Sequence, residues 1–264
     1  MARGAYLAAA AGCDQCHTDT QHNGRPYAGG RIIETFFGIV SVPNITPDPE
    51  TGIGRWRLAD IERALRWGIA PDDSHYLPGF PFPFYNGLTQ NDLLDLAAFL
   101  GGLPAVSQAN RAAALSVFSL ARTKAAVAVL AEPFTGPWQP DATKDPARNR
   151  GAYLVNVVGR CGDCHTPRNW LGARDSRRFL AGTRVGPGGK PVPNITSDRE
   201  SGIGKWSEDD IVTLLNDGQM PDFDFVGGAM AEVVRNTSRL DDSDRRAIAS
   251  YLRSLPPIRS ERVR

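Results

Sequence analysis

The chain has 264 residues and almost no net charge, with 30 basic against 29 acidic side chains. This balance argues against a surface built for nucleic acids or other polyanions. No apolar run reaches the roughly 18 residues that suggest a membrane-spanning helix. The length fits two domains of ordinary size, each large enough to bury a core.

The sequence predicts short helices in both halves. Apolar residues at helical spacing between Leu58 and Trp67 predict one of them. Ser207, Thr89 and Asp241 are each followed by acidic or amide residues and have the character of N-caps. In chain order, helices are expected at 3–16, 58–67, 89–100, 150–164, 207–216 and 241–252. No segment shows the strict alternation of a strand, so the predicted fold class is all-α.

Two cysteine motifs carry the strongest signal in the chain. They are Cys13-Asp14-Gln15-Cys16-His17 and Cys161-Gly162-Asp163-Cys164-His165, and they use all four cysteines. C-x-x-C-H is the attachment signature of c-type heme. Two thiols one helical turn apart can add to the vinyl groups of one porphyrin, and the adjacent histidine can bind its iron. The motifs predict two covalently attached c-type hemes, with His17 and His165 as proximal ligands.

Other interpretations of these cysteines exist. A four-cysteine zinc site does not require a histidine directly after each pair. A thioredoxin-like motif needs a βαβ setting, which neither pair has. Structural disulfides are not excluded by counting cysteines.

An internal repeat spans nearly the whole chain. The repeated segments are Arg3–Leu7 with Arg150–Leu154, Val42–Thr46 with Val192–Thr196, Gly52–Trp56 with Gly202–Trp206, Phe99-Leu100 with Tyr251-Leu252, and Leu103-Pro104 with Leu255-Pro256. The offset drifts only from 147 residues (Arg3 to Arg150) to 152 (Phe99 to Tyr251). The repeat predicts two homologous domains, 1–104 and 150–264, joined by a linker, 105–149.

The linker has two parts of different composition. Gln108–Glu132 is rich in alanine and predicts a helix, whereas the following stretch contains Pro133, Pro137, Pro140 and Pro146. The proline-rich part predicts a semi-rigid connector. A passive spacer and a docking surface are both open interpretations.

The sixth iron ligand distinguishes the two predicted hemes. A Met thioether often fills this position in cytochromes c. Met230 lies 12 residues after Gly218, and it is the predicted ligand of the second iron, with Met220 as the competitor. Phe80 lies 12 residues after Gly68 in the first repeat, and a Phe side chain cannot bind iron.

His75, five residues before that Phe, is therefore the predicted sixth ligand of the first iron. An open or Tyr-ligated iron is the alternative. His22 follows the proximal histidine too closely to reach the opposite face, and we expect it in a solvated loop. Because Met ligation raises the reduction potential, electrons are expected to run from the first heme to the second.

Further repeated residues suit the heme edge. Trp56 and Trp206 could donate their indole N–H to a heme propionate, although plain core tryptophans would have the same pattern. Arg168 could pair with a propionate of the second heme. Asn44-Ile45-Thr46 and Asn194-Ile195-Thr196 match a glycosylation sequon, but their repetition beside Pro43 and Pro193 favours a turn.

The chain resembles the cytochrome c subunits of bacterial periplasmic dehydrogenases for alcohols, gluconate and aldehydes. The resemblance rests on C-x-x-C-H, Val192–Thr196, Gly202–Trp206 and a final helix that ends in Leu-Pro, and it covers both halves and the linker, including Cys164–Asn169. It implies two tandem class I cytochrome c domains and an electron-transfer role rather than an enzymatic one. A periplasmic dehydrogenase would be the electron donor, and a cytochrome c or terminal oxidase the acceptor.

The resemblance also implies a periplasmic location. Met1-Ala2-Arg3 leads directly into the first predicted helix without a secretory signal, so we expect a presequence to be removed during export. A diheme peroxidase with an open first iron is the alternative function. A heme-based gas sensor would usually carry a signalling domain, which is not seen.

Overall fold

The computed structural model describes residues 1–35, 38–76, 79–110, 136–169, 173–186 and 189–260. The chain divides into two compact units, Met1–Pro137 and Trp138–Arg264. The predicted alanine-rich helix of the linker lies, from residue 111 onward, outside the described residues. Over the described ranges, no helix combines the length and apolar character needed to cross a bilayer.

The first unit is mostly helical. Its elements are α1 (Ala2–Ala10), α2 (Cys13–His17), β1 (Ile32–Thr35), β2 (Gly38–Ser41), α3 (Leu58–Trp67), α4 (Phe82–Tyr85) and α5 (Gln90–Gly101), with a 3-10 turn at Thr20–His22. α1 packs against α5, and α3 packs against both α4 and α5.

The second unit has a similar order of helices. Its elements are α6 (Pro146–Tyr153), a π-helical segment (Leu154–Val158), α7 (Gly162–His165), a 3-10 turn (Ser176–Arg178), α8 (Glu208–Asp217), α9 (Gly228–Thr237) and α10 (Asp242–Ser254). α10 packs against α6 and α8.

Most helix predictions are confirmed. α3 has the predicted bounds, and the predicted caps Thr89 and Ser207 accept hydrogen bonds from the backbone N–H of Asp92 (3.2 Å) and Asp210 (3.1 Å). Asp241 occupies the N-cap position of α10 without a capping hydrogen bond. The predicted opening helix 3–16 is instead broken between α1 and α2, because Gly12 adopts a left-handed conformation with φ 67°.

The all-α prediction missed a small sheet. β1 and β2 form an antiparallel hairpin in which Ile32 pairs with Ser41 and Ile33 with Val40. The β-branched side chains of these strands favour the extended conformation. The helical class therefore holds for most of the chain, with a two-stranded exception in the first unit.

The first and last helices of each unit cross at a glycine. A β-carbon on Gly4 would overlap the backbone oxygen of Asp95 and lie 2.7 Å from Phe99 Cβ. A β-carbon on Gly151 would likewise overlap the backbone oxygen of Ala247 and lie 2.8 Å from Tyr251 Cβ. Only glycine permits the two helices to come this close. Because Phe99 and Tyr251 lie at nearly the same distance from the two glycines, they occupy equivalent places in the two units.

An ion pair beside each glycine holds the same crossing. Arg3 Nε donates to Asp92 Oδ1 over 2.8 Å, and Arg150 Nε donates to Asp244 Oδ1 over the same distance. Asp92 is fully buried, with 1% of its side chain exposed. Hydrogen bonds between charged groups are stronger than those between neutral groups, so this pair helps to fix the register of the two helices.

The opening helix of the second unit contains one extra residue. Ala11 N donates to Leu7 O four residues back (2.8 Å), whereas Gly159 N donates to Leu154 O five residues back (2.7 Å). Leu7 and Leu154 occupy the same place in the repeat. The π-helical segment therefore accommodates a one-residue insertion before the second cysteine motif.

Gly4→Ala is expected to destabilise the protein by about 1–3 kcal/mol or more, because the added methyl overlaps rigid backbone. Gly101→Ala is the matched control, since nothing lies within 4 Å of a β-carbon at this position in α5. There the change should be neutral or stabilise by up to about 1 kcal/mol through helix propensity. Guanidinium denaturation of the two variants measures both effects, and equal stabilities would contradict the assigned crossing.

Candidate heme-binding sites

The cysteine pairs lie on short helices that bring both sulfurs to one face. Cys13 and Cys16 belong to α2, and three residues along a helix separate side chains that are neighbours on its surface. In the second unit Cys161 is the N-cap of α7, and Cys164 lies within it. No disulfide joins any two of the four cysteines, all of which lie in the described part of the chain.

Each motif histidine donates a hydrogen bond to a proline carbonyl. His17 Nδ1 lies 2.8 Å from Pro43 O, and His165 Nδ1 lies 2.8 Å from Pro193 O. A carbonyl oxygen can only accept, so Nδ1 carries the proton and Nε2 keeps its lone pair. This is the arrangement by which a second partner orients a metal-binding imidazole. The donor set therefore fits an iron ligand in both units.

Burial keeps these histidines neutral. It lowers the pKa of His17 to about 4, against the opposing effect of the hydrogen bond to Pro43, and lowers the pKa of His165 in the same way. His165 is buried, with 9% of its surface exposed. Neutral imidazole is the form that binds a metal.

The pKa values of the second cysteine pair are opposite to those of a redox motif. Burial raises the pKa of Cys161 to about 12 and that of Cys164 to about 11. Catalytic C-x-x-C pairs depend on a lowered pKa. The described residues also contain no cluster of three or more His, Cys, Asp or Glu arranged for a metal ion, as a four-cysteine zinc site would need.

The histidine partners Pro43 and Pro193 are held by the segment after the last helix of each unit, here called the strap (residues 106–110 and 258–260). Asn44 Nδ2 donates to Val106 O over 2.7 Å, and Asn194 Nδ2 donates to Ile258 O over 2.8 Å. The strap thereby fixes the residue directly after the proline whose carbonyl orients the histidine.

The same asparagines form the predicted turn. Asn44 Oδ1 accepts from the backbone N–H of Thr46 (2.9 Å), and Asn194 Oδ1 accepts from that of Thr196 (2.8 Å). Both asparagines are 2% exposed. The repeated Asn-Ile-Thr therefore has a turn role, as the sequence suggested. Its attachment to the strap was missed because the partner lies more than 60 residues away.

The predicted sixth ligands do not occupy equivalent places in the two units, because His75 lies in a loop whose counterpart carries Phe225, whereas Met230 lies in a helix. His75 is exposed and forms an isolated bridge with Ile69, and Met230 is half-buried in the first turn of α9. Phe80 packs edge-on against Tyr76, with ring centroids 5.6 Å apart, and lies 6.0 Å from the ring of Tyr85. An aromatic cluster thus occupies the first unit where the second has a Met. His22 is exposed and bonds to Asp19, as expected for a loop residue.

The residues predicted at the heme edge are accessible. Trp56 and Trp206 are both half-buried. Arg168 Nη2 donates to the backbone oxygen of Asp163 (3.1 Å) and pairs with its carboxylate, so the guanidinium lies against the second cysteine motif. Binding of a propionate by these three residues stays a prediction.

Comparison with known proteins establishes the family. A diheme cytochrome c-type protein of Cereibacter sphaeroides is 43% identical over 261 residues, which cover 97% of this chain and 86% of the relative. The chain belongs to the diheme c-type cytochromes. The predicted resemblance is confirmed, and this cytochrome is an electron-transfer protein with heme cofactors. No protein-family profile matches the chain.

Two other relatives of this cytochrome are longer. The cytochrome c subunit of the quinone alcohol dehydrogenase of Gluconobacter oxydans is 38% identical, and the gluconate 2-dehydrogenase cytochrome c subunit of Pantoea cypripedii is 36% identical. The alignments cover 97% and 96% of this chain but only 55% and 59% of the two relatives. This cytochrome therefore spans little more than half the length of these subunits.

Asn194→Ala is expected to destabilise the second unit by about 1–3 kcal/mol, because the amide of Thr196 loses its partner inside the protein and the carbonyl of Ile258 keeps only the longer bond from Thr196 Oγ1 (3.4 Å). Asn216→Ala is the control, since among the described residues its side chain bonds only to the adjacent, exposed Asp217. Denaturant unfolding compares the two. A loss of stability no greater than that of the control would mean that the strap does not hold the turn.

Proposed function

We propose that this chain carries two covalently attached c-type hemes and relays electrons from a periplasmic dehydrogenase to a downstream cytochrome c or terminal oxidase. Each half would be a class I cytochrome c domain, with residues 1–104 and 150–264 joined by the linker 105–149. A heme supplies an iron that changes by one electron between its ferric and ferrous forms.

One observation carries this proposal. In both units, a histidine directly after a cysteine pair donates Nδ1–H to a proline carbonyl 2.8 Å away and keeps Nε2 free. Cys13 and Cys16 would hold the first porphyrin and Cys161 and Cys164 the second. The motif histidines would then bind the two irons, in an orientation that the proline carbonyls fix.

Different sixth ligands would give the two hemes different potentials. His75 is proposed for the first iron and Met230 for the second. Thioether ligation raises the potential relative to a second imidazole, so electrons would pass from the first heme to the second. Separate potentiometric titration of the two hemes decides this direction.

The heme edge would be covered by residues of the repeat. Trp56 and Trp206 are proposed to donate to propionates. Arg168 would act together with Asp163, because its guanidinium already bonds to the backbone and carboxylate of that residue. Its charge would then be shared between the motif aspartate and a propionate.

The names of the relatives support a dehydrogenase as the donor. The alcohol and gluconate relatives are cytochrome subunits of dehydrogenases, and a relative from Gluconobacter japonicus is named as the fructose dehydrogenase cytochrome subunit. We infer a periplasmic location because covalent heme attachment takes place outside the cytoplasm. The peroxidase alternative receives no support from these relatives.

Cys161→Ser combined with Cys164→Ser is expected to halve the covalently bound heme, because the second porphyrin loses both attachment points. The hemochrome spectrum of the denatured protein in alkaline pyridine counts the hemes per chain. Cys13→Ser with Cys16→Ser is the mirror control and should also leave one heme. Two hemes in either double variant, or none in the unsubstituted protein, would contradict covalent attachment at these motifs.

Met230→Ala is expected to let carbon monoxide bind half of the reduced heme, since the thioether that blocks the second iron is removed. Met220→Ala is the matched control, and it should leave the reduced spectrum unchanged under carbon monoxide, like the unsubstituted protein. The visible spectrum of the dithionite-reduced protein is the measurement. If carbon monoxide binds the Met220→Ala variant instead, Met220 and not Met230 is the ligand of the second iron.

A further inference from the structure

The two units differ at two positions of their equivalent helix crossings. Phe99 and Tyr251 occupy the same place, because each has its Cβ within 2.8 Å of the point where the crossing glycine would carry one. On the opening helix, counted from the same arginine, Ala9 corresponds to Asn156. The first unit therefore has an apolar pair where the second has an amide and a phenol.

The π-helical segment presents this amide to the phenol. Asn156 lies in the middle of Leu154–Val158, and its Nδ2 donates to the Tyr251 hydroxyl over 2.9 Å. Its Oδ1 is buried, and within the described part of the chain it has no hydrogen-bond donor. Buried amide oxygens are rarely left without a partner, and each exception calls for a physical explanation.

The pair lies beside the second cysteine motif. Burial raises the pKa of Tyr251, and the hydrogen bond with Asn156 opposes this by lowering it. The backbone N–H of Cys161 donates over 3.0 Å to the backbone oxygen of Val155, and Val155 directly precedes Asn156. The one-residue insertion therefore sets the position of the amide and of the first heme-attachment sulfur together.

We propose that Asn156 and Tyr251 form a polar pair that lowers the reduction potential of the second heme below the value it would have with Ala and Phe at these positions. They are positioning and tuning residues, not iron ligands. This inference rests on the proposed heme attachment at Cys161 and Cys164.

The physical reason is charge. The oxidised heme carries one more positive charge than the reduced heme. In a buried site of low effective dielectric, nearby oxygen atoms with partial negative charge stabilise the oxidised form, and apolar side chains do not. Asn156 supplies an amide oxygen without a hydrogen-bond donor. Tyr251 supplies a phenol oxygen, which the amide of Asn156 holds in place. Hydrogen bonding and burial around a heme are recognised determinants of its potential.

The test is a double variant, Asn156→Ala with Tyr251→Phe, which gives the second unit the residues of the first. Both single variants complete a double-mutant cycle. Spectroelectrochemical titration of the full chain should show one midpoint potential shifted upward and the other unchanged. Because the two residues act as a pair, the shifts of the single variants should not add up to that of the double variant.

Ser254→Ala is the matched control, because it removes an exposed hydroxyl from the same helix. It should move neither potential. If the double variant loses heme, Tyr251→Phe decides alone, since it keeps the ring that packs at the helix crossing. An unmoved or lowered potential in a variant that retains two hemes would overturn the tuning role only. An unsubstituted protein without a second covalent heme would overturn the proposed function instead.

Discussion

The hydrogen bond from a motif histidine to a proline carbonyl is the constraint on which each unit depends. A backbone oxygen cannot donate, so the bond fixes both the tautomer of the imidazole and the direction of its free nitrogen. The bond requires that two distant parts of the chain keep their relative position: the short helix with the cysteines and the loop with the proline. The glycine crossing and the Arg–Asp pair hold the helical part, and the asparagine and its strap hold the loop.

The supports are built from buried polar groups, which makes the site sensitive to single changes. Asn194 makes four hydrogen bonds, to Ser201, Ile258 and the amide and hydroxyl of Thr196, while it is almost fully buried. When every buried group of such a network has its partner inside the network, the removal of one side chain leaves several groups without a hydrogen bond. The first unit uses Asn44 in the same way and adds a bond from its backbone N–H to Asn110 Oδ1 (2.7 Å). The two units therefore share this network and not only the cysteine and histidine motif.

Local sequence signals predicted the elements that depend on local interactions. α3 and the caps at Thr89 and Ser207 follow from residue spacing and side-chain chemistry within a single turn. The hairpin at Ile32–Ser41 was missed because its strands are four residues each, too short for alternation to be distinct. The strap joins residues more than 60 positions apart, and no local pattern reports such a contact. The π-helical segment was visible only as a change in repeat offset, from 147 at Arg3 to 148 at Cys13.

The segments that close each unit come last in its sequence. Arg3 meets a partner 89 residues later, and Asn44 meets the strap 62 residues later, whereas the first cysteine motif ends at residue 17. Contacts of such long separation form late, because closing a long loop costs entropy before it gains contacts. A chain that is synthesised or exported N-terminus first therefore exposes the thiols of each unit until the last residues of that unit have emerged. The order of residues along the chain sets an order of events, in which the thiols proposed to attach heme are accessible before the final packing of each unit.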